Sequence, residues 1–206
     1  MSIETQQPAP VIPAIKGVFA PDPGVRALLS KHVAPGSDVL DAGTGSGRNA
    51  IHAGRLGHTV VGVDDNPEYI NHANAMKLLV PEKIDVAFTV AEIEAFQPEQ
   101  EDFDAVLLTR VLQEIGSDDR GQRVVTKLQQ LTAPAGSNIV TAYIGTDADR
   151  DTMSHLLIFA PDEVEAMYED EGWEIAHRHQ EIKKLGFFAG KPMCKSFVEL
   201  VAVKPE

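Results

Sequence analysis

Residues 39–50 read Val39-Leu40-Asp41-Ala42-Gly43-Thr44-Gly45-Ser46-Gly47-Arg48-Asn49-Ala50, and this stretch decides the fold. A short apolar run ends on an acid, three glycines alternate with small residues, and a helix-forming sequence follows. That order predicts a strand over Asp38 to Asp41, a tight turn, and a helix from Gly47 to about Leu56. A first strand turning into a first helix is the place where open α/β sheets bind nucleotides. Gly43 and Gly45 can adopt positive φ and leave the backbone open to a ligand, and Gly47 lets the helix pack close to the turn. The spacing is Gly-x-Gly-x-Gly. Dinucleotide binders carry Gly-x-Gly-x-x-Gly, and here Arg48 stands where their third glycine would be. Asp41, just ahead of the loop, can accept bonds from loop amides or from an ammonium group and is poorly suited to face a pyrophosphate.

Outward from this loop, short apolar runs alternate with helical stretches, the pattern of a parallel sheet flanked by helices. Upstream, a helix near 24–33 leads through Pro35-Gly36 into the first strand. Downstream, strands are expected at His58 to Val63, Asp85 to Val90, Ala105 to Thr109 and Asn138 to Ala142. Helices are expected from Pro67 to about Leu79, over 118–131, and from Pro161 to near Gly172. Two last strands, Glu174 to His179 and Lys195 to Val203, read as a hairpin. The fold class is therefore α/β: a Rossmann-like, seven-stranded, mainly parallel sheet with helices on both faces and a C-terminal antiparallel hairpin. Residues 1–23 hold five of the 13 prolines and form a separate, partly flexible segment ahead of one domain over 24–206.

Composition bounds the function. The 206 residues suit one large domain, and a net charge of −13 from 31 acids and 18 bases disfavours phosphate backbones and anionic membranes. A single cysteine, Cys194, leaves no disulfide framework and no cysteine-rich zinc site, and no metal site is expected. No apolar run reaches a membrane-span length and the N-terminus lacks a signal-peptide pattern, so the expected setting is cytoplasmic.

Two further elements complete the pattern. Val63-Asp64-Asp65-Asn66 ends the second strand, and Asp64 follows Gly47 by 17 residues, placed to accept both hydroxyls of a ribose. After the third strand, Glu92-Ile93 could present a carboxylate and an amide to the edge of an adenine. Together these residues resemble the class I S-adenosylmethionine-dependent methyltransferases over about Gly24 to Val203. The resemblance implies that Asp41, Gly43, Thr44, Gly45, Gly47 and Arg48 line the amino-acid end of the cofactor. It further implies that Asp64 holds the ribose, Asp65 lies along the adenine, and Glu92 and Ile93 meet its edge. Leu131-Thr132-Ala133-Pro134-Ala135-Gly136 resembles the turn the family carries before its fifth strand. Gly47-Arg48-Asn49-Ala50, Leu56-Gly57-His58 and Asp64-Asp65-Asn66 are similar to the tellurite-resistance methyltransferase subgroup.

The acceptor side is less determined. A sulfonium already carries a good leaving group, so the protein has mainly to align the nucleophile, and a dedicated base is optional. No catalytic residue is assigned. Thr109-Arg110-Val111-Leu112 replaces the Asn/Asp-Pro-Pro-Tyr motif of DNA methyltransferases, which with the acidic charge favours a small-molecule acceptor over a nucleic acid. Arg110 is a candidate for the cofactor carboxylate or for an anionic acceptor; Phe19, Tyr143 and His155 are further acceptor-side candidates. Phe187-Phe188, between two glycines, reads as an aromatic lid or as hairpin packing. Alternation along the last strands points His177 and His179 one way and Arg178 the other. Two rival readings stand beside the methyltransferase. One is a non-catalytic S-adenosylmethionine-binding or sensing module. The other is an NAD(P) oxidoreductase, which the loop spacing and Asp41 disfavour.

Overall fold

A computed structural model describes residues 20–99, 102–182, 186–188, 191–193 and 196–206, with the side chains of 183–195 left aside. Phe19 and Cys194 therefore lie outside the described residues, as do the side chains of Phe187 and Phe188. Helix α1 (Pro23–His32) opens with Pro23 at its first position, and the Asp22 carboxylate accepts from the Gly24 amide at 3.1 Å. The missing proline donor costs nothing there, because the first amides of a helix have no intrahelical partner. Strands β1 (Asp38–Ala42), β2 (Thr59–Asp64), β3 (Val86–Val90), β4 (Phe103–Thr109) and β5 (Thr132–Tyr143) pair in parallel. Between them run α2 (Arg48–Arg55), α3 (Pro67–Lys77) and α4 (Asp118–Leu131). The chain continues through α5 (Asp147–Thr152) and α6 (Glu163–Glu169) to β6 (Glu174–Glu181), β7 (Gly186–Phe188), β8 (Lys191–Met193) and β9 (Phe197–Val203).

The seven-stranded sheet has the order β3-β2-β1-β4-β5-β9-β6, with β9 antiparallel to both of its neighbours. This is the α/β architecture and closing hairpin that the pattern implies. Side chains alternate between two cores, as strand geometry requires. Leu40, Val106, Leu108, Val140 and Leu200 face α4 and α6, whereas Val39, Ala105, Leu107, Ile139 and Val201 face α1 and α2. Both faces are covered, so the central strands are almost continuously buried. Strand order reverses between β1 and β4, which opens a crevice at their carboxyl ends. Among the described residues, no helix is long and apolar enough to cross a membrane.

Three features differ from the expected elements. Strand β5 begins at Thr132 rather than Asn138, and the Ala-Pro-Ala-Gly turn is an excursion inside it. Phe103 pairs with Thr132 while Ala105 pairs with Ser137, so the intervening residues loop out, with Ala135 at φ 57°. Thr132 Oγ1 closes the excursion by donating to Asn138 Oδ1 at 2.8 Å. Helix α5 was not anticipated, although Thr146 and Asp149 form a reciprocal capping box that fixes its start. Finally, the connection between β6 and β9 holds a small antiparallel pair of its own, β7 with β8.

Candidate functional site

The glycine loop lies at the switch point and its three glycines all have positive φ: 71° at Gly43, 53° at Gly45 and 78° at Gly47. Two of them are also sterically fixed. A Cβ on Gly43 would overlap the Val111 side chain, and one on Gly47 would lie 2.7 Å from Phe88 and 2.9 Å from Ala73. Gly47 thus does what its place predicts, letting the start of α2 approach α3 and β3. Gly43→Ala should destabilise the fold by about 1–2 kcal/mol, since a left-handed alanine is strained and Val111 must move. It should lower the urea midpoint without changing the slope; an unchanged midpoint would show that the loop relaxes freely.

Asp41 is buried under this loop at 1% exposure. One of its oxygens accepts from Thr44 Oγ1 at 2.7 Å and from the Ala50 amide at 3.1 Å. Burial pushes its carboxyl up to about 6, against the opposing effect of these two bonds and of Arg48. Asp64 is pinned from both sides at the end of β2. Its Oδ2 accepts from the Gly45 amide at 2.8 Å and its Oδ1 from the Asn66 amide at 3.0 Å, so the acid ties the glycine loop to the start of α3. Asn66 caps that helix through the Glu68 amide.

A cleft of about 490 Å³ opens above these groups. Gly43, Thr44, Gly45, Arg48, Asp64, Asp65, Glu92, Ile93 and Arg110, nine of the sequence candidates, all line it. Asp41 and Gly47 do not; they hold the loop from beneath. Tyr143 and His155 fall elsewhere. Tyr143 packs with Met153 and Ile158 in a small separate cluster, and His155 lines a hollow with Gly116, Asp118 and Arg150. Tyr143 ends β5, and His155 follows helix α5.

Arg110 has an unusual backbone, with φ 59°. Its amide donates to Thr141 O at 2.9 Å and Thr141 Oγ1 at 3.1 Å, and its carbonyl accepts from Gln113 Nε2. Held in this way, its guanidinium reaches Asp22 at 2.8 Å, and Arg48 approaches the same carboxylate at 3.7 Å. The Asp22 amide donates to Asn49 Oδ1 at 3.0 Å, and Asn49 Nδ2 donates to Thr109 Oγ1 at 2.9 Å. The amino end of α1 is thereby joined to the glycine loop and to the end of β4. Sequence reasoning missed Asp22, Asn49 and Thr109. It also missed Tyr69, Ile115, Arg120 and Val124, which line the cleft too. Only the N-cap position of Asp22 before Pro23 was a readable signal, and it speaks for helix initiation alone.

The last strands follow the expected alternation. Arg178 reaches Asp162 and Glu165 beside α6, whereas the His177 ring lies 6.0 Å from His32 of α1. Among the described residues, no group of three or more His, Cys, Asp or Glu side chains could hold a metal ion.

Comparison with known proteins agrees with this geometry. The family profile described as "Tellurite resistance protein TehB" matches residues 26–187. A Haemophilus influenzae protein named "Probable S-adenosyl-L-methionine-dependent methyltransferase TehB" is 27% identical over 147 residues, 71% of this chain and 49% of that protein. The chain thus spans about half the length of that relative. The crystal structure of TehB from Haemophilus influenzae superposes with a TM-score of 0.70 at 25% identity, covering 88% of this chain and 61% of that one. A Methanosarcina mazei structure titled as a SAM-dependent methyltransferase gives a TM-score of 0.74 at 15% identity, covering 91% and 99%, a likeness of fold alone. The chain belongs to the TehB family of class I S-adenosylmethionine-dependent methyltransferases.

Proposed function

We propose that this chain transfers a methyl group from S-adenosylmethionine to a small anionic acceptor, a chalcogen oxyanion being the class that the family's name suggests. The observation that carries the reading is Asp64, pinned by the Gly45 and Asn66 amides at the switch point with Asp65 beside it on the cleft wall. The residues present fit the cofactor. Gly45 has open space where a side chain would stand, Asp64 and Asp65 offer acceptors for the ribose and adenine, and Arg48 offers a donor for the carboxylate. When bound, the cofactor supplies an electrophilic methyl on a sulfonium, and the C–S electron pair leaves with sulfur as the acceptor lone pair bonds to carbon. The chain's part is alignment and charge. Arg110, half exposed and fixed through its backbone, can bind an anionic acceptor at the end of β4. An oxyanion already carries the lone pair it uses, so no base is needed.

Thermal shift with S-adenosylmethionine, S-adenosylhomocysteine and NAD tests the cofactor, because a ligand selective for the folded state raises its stability. Stabilisation by the first two is expected, and a shift with NAD alone would overturn the reading. Release of S-adenosylhomocysteine on adding tellurite, selenite or a thiol then tests the acceptor. Cofactor binding with no turnover on any of them would mark a binding module instead.

A further inference from the structure

Arg120 lies far in sequence from the glycine loop, yet it lines the same cleft. It stands in the first turn of α4, where its amide faces the capping Ser117 Oγ at 3.4 Å. From there the side chain crosses to the connection after β3. Its Nε lies 2.6 Å from Glu94 Oε2 and a terminal nitrogen lies 3.5 Å from Glu92 Oε2. The guanidinium therefore bridges two walls of the cleft, which Asp65, Tyr69, Glu92, Ile93 and Ile115 also line.

We infer that Arg120 is a cofactor-binding residue whose guanidinium closes the purine end of the cleft, an assignment that rests on the S-adenosylmethionine reading above. A surface ion pair by itself is worth little, and Glu94 has a second cation in Arg123 at 3.0 Å, so pairing alone does not account for Arg120. Arg123 is 62% exposed and does not line the cleft. Glu94 holds Arg120 by its Nε edge at 2.6 Å, a contact that does not depend on Arg123. An edge-anchored guanidinium keeps its flat faces available for a planar heteroaromatic ring, and a cation is attracted to such a face. The apolar side chains of Ile93, Ile115 and Val124 supply the wall against which the ring would lie.

Isothermal titration with S-adenosylhomocysteine tests this on the full chain. Arg120→Ala is expected to weaken binding about fivefold, with Arg120→Lys recovering only part because a point charge lacks the plane. Arg123→Ala, which removes the other partner of Glu94, should bind as the wild type does. Arg120→Ala binding within twofold of wild type would overturn the assignment, and so would an equal loss in Arg123→Ala, which would mean that only the Glu94 position matters. Wild type that fails to bind S-adenosylhomocysteine would overturn the cofactor reading itself, and this assignment with it.

Discussion

Asp64→Ala is expected to weaken S-adenosylhomocysteine binding roughly 10- to 150-fold, the equivalent of losing one charged hydrogen-bond acceptor worth about 1.5–3 kcal/mol. The carboxylate is in place before any ligand arrives, because the Gly45 and Asn66 amides hold its two oxygens. Little ordering is then left for binding to supply, which is what gives an acceptor its full value. The substitution has a second consequence, since the Gly45 amide loses its partner and the glycine loop its tie to α3. Asp64→Asn separates the two effects. It keeps an oxygen for one amide but offers a weaker, neutral acceptor, so its affinity should fall between those of wild type and Asp64→Ala. Asp65→Ala, which removes no bond to the loop, should cost less than either. Titration of all three variants checks the order, and unchanged affinity in Asp64→Ala would remove the ribose assignment.

How far the sequence speaks for itself follows from the range of its interactions. The glycine loop, the first five strands and the acid at the end of β2 are local signals: apolar runs, turn residues and a fixed spacing. The groups left unread depend on distant partners. Asp22 meets Arg110, and Arg120 meets Glu92 and Glu94, across separations that no periodicity records. Tyr143 and His155 show the converse. Both were expected at the acceptor side, but Tyr143, the last residue of β5, packs with Met153 and Ile158, and His155, beyond the short helix α5, lines a different hollow. The capping pair Thr146 and Asp149 was readable, yet a six-residue helix buries no side chain and so leaves no apolar stripe. The excursion inside β5 was hidden for another reason: a proline-containing turn reads as a strand boundary, and only the pairing of Thr132 with Phe103 shows that the ladder resumes across it.

Asp41→Asn is expected to stabilise the chain by about 3 kcal/mol at pH 8 while weakening S-adenosylmethionine binding about tenfold. The carboxyl titrates near 6 in the fold against 3.8 for a free side chain, so above pH 6 the fold carries a buried charge that the unfolded chain holds in water. As pH falls through 6 toward 4, the folded chain takes up a proton that the unfolded chain does not, and this cost disappears. Asparagine keeps an oxygen for Thr44 Oγ1 and the Ala50 amide but never carries the charge, so its advantage should shrink to nothing near pH 4. His52 acts in the opposite sense over the same window. Burial, with Arg26 and Arg55 nearby, lowers it from 6.5 to about 4, and stability is lost as pH falls because only the unfolded chain takes the proton. The two groups nearly offset each other in the wild type. Asp41→Asn leaves His52 unopposed, so the variant should lose more stability than the wild type as pH falls from 6.5 to 4. Urea unfolding of both proteins at pH 8, 6 and 4.5 measures the gap, and a gap that does not vary with pH would show that Asp41 is not the titrating group. The binding half of the prediction gives the costly charge a role, for a buried carboxylate beneath the loop would attract the ammonium and sulfonium of a bound cofactor. Equal S-adenosylmethionine affinity in the two proteins would mean that Asp41 serves the loop's hydrogen bonds alone.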